Sequence, residues 1–168
     1  MAGRITKSDE QLRPDPRFNS KVLSKFINCV MLEGRKTSAT RAVYDAIDII
    51  QKRLDKENNP DAPKEAFEVF TMAIDNVKPP VEVRSKRIGG ANYQVPMQVN
   101  RKRQQSLSMR WILNSVRGEK GRPFARRLAD ELYNAARGEG KAMSTREQTI
   151  RMAEANRAFA HFAGPSRD

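Results

Sequence analysis

The stretch Val81-Glu-Val-Arg-Ser-Lys-Arg-Ile-Gly-Gly-Ala-Asn-Tyr-Gln-Val-Pro-Met-Gln-Val99 decides how the rest of the chain is read. Val81, Val83 and Ser85 alternate with Glu82, Arg84 and Lys86; beyond Gly89 and Gly90, Tyr93, Val95, Met97 and Val99 alternate with Gln94, Pro96 and Gln98. A period of two broken by a glycine pair predicts a β-hairpin over residues 81–99. A two-stranded hairpin alone is marginal in water, so one loaded with Arg and Lys needs a surface to rest on.

On either side the pattern is helical. Over residues 20–32, Val22, Leu23, Phe26, Ile27, Val30 and Met31 form one amphipathic stripe, with Asn19 or Ser20 as cap and Gly34 as stop. Within that stripe Cys29 is expected as a small buried residue; as the only cysteine it forms no internal disulfide and no cysteine-based zinc site. A second helix begins near Thr37 or Ser38 and carries Ala39, Val43, Ala46, Ile47, Ile50 and Leu54; a polar connector ends it. Residues 63–77 give a third, with Ala66, Phe67, Phe70, Ala73, Ile74 and Val77 on one face, and Pro79-Pro80 stops it before the hairpin.

After the hairpin, residues 100–117 read as a fourth helix whose Arg103, Arg110 and Arg117, seven apart, stack into one stripe. Pro123 suits the first turn of a fifth, with Phe124, Ala125, Leu128, Ala129, Leu132, Tyr133 and Ala136 inward. Ser144 with Glu147 predicts a capping box for a sixth that runs to about Phe162. The fold class expected is mainly α: a six-helix bundle with one protruding two-stranded antiparallel β-ribbon between helices three and four. Residues 1–12 are expected as a flexible arm and 13–168 as a single domain.

Charge narrows the function. The chain of 168 residues has a net charge of +12, with 32 Lys and Arg against 20 Asp and Glu. Residues 83–127 hold twelve basic residues and a single acid, Glu119, so nearly the whole excess sits in one quarter of the sequence. A region of one sign at this density repels itself unless a polyanion offsets it, which points to nucleic acid. No apolar run reaches the length of a membrane span, and residues 1–11 lack the apolar stretch of a secretory signal, which predicts a cytoplasmic chain with no membrane partner.

Several blocks together resemble the bacterial members of the small-subunit ribosomal protein seven family: residues 76–99, Met109 to Arg117, Arg151 to Phe162 and, upstream, residues 15–50. The resemblance runs in order from about Arg13 to Phe162. It implies a helical bundle with a protruding ribbon, and a structural role as a primary binder of the 3′ major domain of 16S ribosomal RNA that nucleates assembly of the subunit head. It also implies a ribbon near the exit-site tRNA and the mRNA path, with small-subunit ribosomal proteins nine and eleven as neighbours.

Matching the family motifs residue by residue gives Arg84, Lys86, Arg87, Gly89, Gly90, Asn92 and Tyr93 in the ribbon, then Arg101, Lys102, Arg103 and Arg110, as RNA-facing positions. The candidate set is completed by Arg4 and Lys7 near the N-terminus, Arg35 and Lys36 after Gly34, and Arg117. Arginine offers phosphate a planar fork of donors, and glycine lets a backbone come close. Tyr93 has two readings, a ring stacked on an unpaired base or a cross-strand packing residue. Arg126 and Arg127 are set aside, because Asp130 and Glu131 four residues on offer ordinary helix-surface pairs. The sparse cations before Asp9 depart from the denser basic opening usual in the family, which predicts a weaker arm contact. Functions of extended C-terminal tails are not carried over.

Enzymatic readings fail on chemistry. Gly140-Lys141 resembles part of a phosphate-binding loop, but that loop needs Gly at Ala135, Ser or Thr at Ala142, and a preceding strand. His161, the only histidine, has no companion nucleophile or second ligand nearby. No cofactor or metal is expected. The alternative from composition is a DNA-architectural protein using the ribbon as an arm, and against it stands a tip of two glycines where such arms carry an apolar wedge.

Overall fold

The computed structural model describes residues 11–57, 63 and 65–163; Arg4, Lys7 and most of the expected arm lie outside the described residues. The described chain is mainly helical: α1 (Lys21–Val30), α2 (Lys36–Glu57), α3 (Ala66–Val77), the strands β1 (Val81–Ile88) and β2 (Ala91–Gln98), then α4 (Arg101–Gly118), α5 (Phe124–Ala136) and α6 (Lys141–Ala155), with a short 3-10 helix at Arg157–Ala163.

Helix α5 sits at the centre and packs on α2, α3 and α4. Its Leu128, Ala129, Leu132 and Ala135 are completely buried, and the two alanines let the neighbouring helices approach closely. The stripes read from the sequence supply the other walls, Leu23, Phe26 and Ile27 from α1, Val43, Ala46, Ile47 and Ile50 from α2, and Phe70, Ala73, Ile74 and Val77 from α3. Phe26 and Phe70 meet edge to face with ring centroids 5.4 Å apart.

Helix ends are closed in two ways. Locally, Ser20 Oγ accepts from the Leu23 N–H at 3.3 Å and Asn100 Oδ1 from the Arg103 N–H at 2.9 Å, which fixes where α1 and α4 start. Elsewhere distant side chains do it. Asn76 Nδ2 donates to the carbonyls of Ala135 and Ala136 at 3.0 and 2.9 Å, and an Arg117 NH2 group donates to those of Cys29 and Val30 at 3.3 and 3.2 Å.

Several expectations are corrected. Helix α6 begins at Lys141 rather than at a Ser144–Glu147 box, because Glu131 of α5 accepts the Ala142 N–H at 2.8 Å and supplies the cap from outside. Gly140 just before it has φ +99°, and a Cβ there would stand 3.2 Å from that carboxylate. Nor does α6 reach Phe162: the side chain of Asn156 donates to the Met152 carbonyl at 2.8 Å, and the chain tightens into the 3-10 turn. Pro123 is the N-cap of α5, one place before its first turn. The second strand ends at Gln98, although Val99 still donates to the Pro80 carbonyl at 3.2 Å. Cys29 is exposed, since it lies about 200° round α1 from Ile27, on the side away from the core.

Candidate nucleic-acid interface

The ribbon closes through Gly89 and Gly90, whose φ values of +58° and +89° are the left-handed pair of a type I′ turn, the hairpin turn that matches strand twist. Space around both glycines is open to at least 4 Å where a Cβ would be. In the antiparallel register Glu82 faces Met97, Arg84 faces Val95, Lys86 faces Tyr93 and Arg87 faces Asn92. Odd positions of β1 therefore pair with even positions of β2, and opposed side chains share a face. The apolar halves of the two strands thus lie on opposite faces. Counting by twos from the Val99–Pro80 bond also puts Pro96 at a non-hydrogen-bonded position, where its missing N–H costs nothing.

One face carries Glu82, Arg84, Lys86, Tyr93, Val95 and Met97, and it is the docked one. The ribbon packs on α6 and on the 3-10 helix. Val95 is 1% exposed, and the Tyr93 ring lies against Phe159 and Phe162 with centroids 5.1 and 5.7 Å away. Lys86 Nζ donates to the Phe162 carbonyl at 2.8 Å. Glu82, 7% exposed, is held by Arg84 from its own strand and by Arg103 Nε of α4 at 3.0 Å, an arrangement that ties the base of the ribbon to α4. The other face shows Ser85, Arg87, Asn92 and Gln94 to solvent.

The candidate cations accordingly fall into two sets. Arg84, Lys86 and Arg103 are engaged as just described, Arg117 closes α1, and Arg35 pairs with Glu33 at 3.0 Å with both side chains 74% exposed. Arg87, Arg101 and Arg110 are exposed and make no hydrogen bond or ion pair among the described residues; Lys36 uses none of its side-chain donors there either. Lys102 is exposed and engaged within the chain. The stripe Arg103, Arg110 and Arg117 shares one side of α4, but only its middle member points out unpartnered.

Arg126 belongs with the outward set and sequence reasoning missed it. Asp130, the partner expected for it, accepts instead from Arg53 NH2 at 2.5 Å and from Arg122 NH1 at 2.7 Å, which leaves Arg126 exposed. Arg127 does not pair with Glu131, which is occupied at the start of α6; its guanidinium lies against the carbonyls of Val116 and Glu119, with Nε buried and unpartnered. The other signal missed was the i, i+3 spacing of Phe159 and Phe162, which brings two rings to one side of a 3-10 turn where they meet Tyr93.

Among the described residues nothing nearby has the form of a catalytic centre. Gly140-Lys141 follows a helix, and Lys141 Nζ is bound to Glu119 Oε1 at 2.8 Å. The hydrogen bond from Lys141, helped by Arg122, holds the Glu119 carboxyl below its ordinary value. Desolvation of the Cys29 sulfur pushes its thiol up, away from a reactive thiolate. His161 is exposed, with Nδ1 2.8 Å from the Ala158 carbonyl and its ring against Phe162. Among the described residues no group of three or more His, Cys, Asp or Glu is placed to hold a metal ion, and no helix is long and apolar enough to cross a membrane.

Comparison with known proteins points the same way. The family model described as ribosomal protein S7p/S5e matches residues 2–157. A protein of Rhodopirellula baltica, small ribosomal subunit protein uS7, is 58% identical over 161 residues, which cover 96% of this chain and 99% of its own. Proteins of the same name from Variovorax paradoxus and Methylobacterium radiotolerans are 50% and 45% identical over 162 residues, again 96% of this chain and 99% of theirs.

Proposed function

The chain belongs to the ribosomal protein S7p/S5e family, and on that premise we propose that it binds the 3′ major domain of 16S ribosomal RNA and nucleates assembly of the head of the small subunit. Membership makes it a structural, non-enzymatic component of the small ribosomal subunit, working where cytoplasmic ribosomes work. The ribbon reaches toward the exit-site tRNA and the mRNA path, and small-subunit ribosomal proteins nine and eleven are the neighbouring proteins.

The observation that supports the RNA reading best is the set of outward cations, Arg87, Arg101, Arg110 and Arg126, which have no partner among the described residues of a chain of net charge +12. Unpaired cations on one chain repel each other, and phosphates both relieve that repulsion and release counterions on binding. The ribbon tip adds two glycines in open space, where an RNA backbone approaches without meeting a Cβ. Of the other candidates, Arg84, Lys86 and Arg103 act chiefly by holding the ribbon in its pose, and Arg4 and Lys7 add cationic charge to the N-terminal sequence.

Filter binding of the full chain to fragments of the 3′ major and 5′ domains of 16S RNA, and to duplex DNA, tests this across a salt series. Expected are tightest binding to the 3′ fragment and a steep fall with salt, with a slope of log affinity against log salt that shrinks by roughly 0.7–0.9 for each phosphate-contacting arginine removed. Arg87→Ala and Arg110→Ala are the variants to compare. Preference for duplex DNA at physiological salt overturns the proposal in favour of a DNA arm, a reading that the glycine tip already disfavours.

A further inference from the structure

Just before α1 the chain reads Arg13-Pro-Asp-Pro-Arg-Phe18, and Asp15 at its middle is 3% exposed, the most deeply buried charged side chain among the described residues. We propose that Asp15 is a positioning residue for RNA binding: it ties this segment into a knot that fixes where the N-terminal cations leave the helical domain, although its own charge has the wrong sign for phosphate. The inference rests on the RNA-binding reading above and adds to it the group that makes the N-terminal charge usable.

Three observations carry it. Asp15 Oδ2 accepts the backbone N–H groups of Arg17 and Phe18, both at 3.1 Å, while Oδ1 accepts the Tyr44 hydroxyl of α2 at 2.7 Å. Its own N–H donates to the carbonyl of Ser20, the cap of α1, at 3.2 Å, so one residue fastens the segment to two helices. The side chains that follow close the knot. Phe18 stacks on Phe67 of α3 with centroids 5.0 Å apart and planes 9° off parallel. The Arg17 guanidinium lies 5.0 Å from the centre of the Phe18 ring and 5.3 Å from that of Tyr44, and binds Asp48 at 2.5 Å. Finally, Pro14 and Pro16 fix their own φ and restrain Arg13 and Asp15 to extended backbone. An anchor at Asp15 is therefore felt at Arg13, which is exposed, makes no hydrogen bond or ion pair among the described residues, and lines a groove with Lys36.

Packing alone does not call for a carboxylate here, because a buried charge is costly unless its lone pairs are filled. What the carboxylate supplies is direction: its oxygens gather two consecutive backbone N–H groups and a hydroxyl from another helix, and hydrogen bonds to an ionised acceptor are the strong ones. The role has a signature in its sign. By charge alone, removing an acid from a chain that binds a polyanion tightens the complex. Removing a positioning residue weakens it, since cations that were held in place must then be ordered on binding.

Filter binding of the full chain to the 3′ major-domain RNA fragment at fixed salt tests this with Asp15→Ala, Asp15→Asn and Arg13→Ala. Each long side chain left to be ordered on binding lowers affinity by roughly 2- to 12-fold, and Asp15→Ala is expected to lose at least that much. Asp15→Asn is expected to keep most of the parent affinity, because its amide oxygen still accepts the backbone N–H groups. Arg13→Ala is expected to cost less in the Asp15→Ala background than in the parent, a coupling that lost stability by itself does not produce. Trypsin reads the knot directly, and cleavage after Arg17 is expected to be faster in Asp15→Ala. Should Asp15→Ala fail to fold, Tyr44→Phe, which removes one of the three donors and keeps the ring, is read by the same criteria. Unchanged or tighter binding in a folded Asp15→Ala variant overturns the proposal and leaves the RNA-binding function standing. So does an Asn variant as weak as the Ala variant, which denies a role to the acceptor geometry, and so does an Arg13→Ala loss of equal size in both backgrounds, which assigns Asp15 to stability alone. Failure of the parent chain to bind the fragment overturns both readings.

Discussion

Arg103→Ala and Arg101→Ala remove the same charge two residues apart on α4, and the structure predicts opposite consequences. Arg103 Nε lies 3.0 Å from Glu82 Oε2, and Glu82 is 7% exposed, whereas Arg101 is exposed and makes no bond among the described residues. Breaking a fully buried ion pair costs about 3–5 kcal/mol, and breaking an exposed one about 0.2–1 kcal/mol. Here the carboxylate is buried, but the side chains of Arg103 and Arg84 are 37% and 54% exposed, and Arg84 stays behind to hold the charge. The cost of Arg103→Ala therefore falls between those limits, at about 1–2 kcal/mol. For a chain of this size that lowers the melting temperature by roughly 2–8 °C. Arg101→Ala stays within about 0.5 kcal/mol, yet it reduces the salt slope of RNA binding by roughly 0.7–0.9. Circular dichroism melts and filter binding read the two effects. A further check places Arg103→Ala in a Glu82→Gln background, where its cost shrinks if the pair is the cause. Equal melting temperatures for the two single variants would refute the division of cations into structural and RNA-facing sets.

Two other expectations follow from the same geometry. Phe159→Ala removes a half-buried ring from beside Tyr93 and is expected to cost about 1–2 kcal/mol, less than the 3–5 of a fully buried Phe; hydrogen exchange of the β2 amides should speed up, and unchanged exchange would show that the 3-10 helix does not support the ribbon. Glu119, with its carboxyl held below the ordinary value by Lys141 and Arg122, contributes stability that is present above the unfolded value of about 4.3 and is lost as pH falls through the lower folded value. Acid unfolding of Glu119→Gln should consequently show a flatter limb below pH ~4.5 than the parent, and identical limbs would remove this network from the account.

The helices were legible because each buries one stripe: Ala39, Val43, Ala46, Ile47, Ile50 and Leu54 of α2 are all buried as periodicity predicts. Ser20, one of the two caps offered for α1, was legible because a cap acts within three residues of itself, whereas Asn100, read as the first residue of α4, proves to be its cap. Glu131 was not, because its bond to the Ala142 N–H crosses from one helix to another, and an i, i+4 rule counts only neighbours along one helix. Asp130 is a second case, drawn to Arg53 from α2 and to Arg122. Cation-rich sequence gives the total charge, but which cations stay free depends on where the acids of other elements arrive.

The ribbon shows why that matters for function. Alternation within each strand was visible, but the register between strands was not, and a Gly-Gly type I′ turn pairs odd with even positions, so the two apolar halves face opposite ways. Neither face is then apolar enough to act as an ordinary sheet surface. The face with Tyr93 and Val95 is completed by Phe159 and Phe162 from the C-terminal turn, and its charged groups find partners in the Glu82 pairs and the Phe162 carbonyl. Support for a hairpin that is marginal alone therefore comes from within the chain, before any RNA is bound. Arg87 and Asn92 remain on the opposite face beside the open glycine tip, and a preformed arm binds without the entropy cost of ordering itself first. Loosening the aromatic contact should on this argument weaken RNA binding by loosening the arm, and should do so without changing the salt slope.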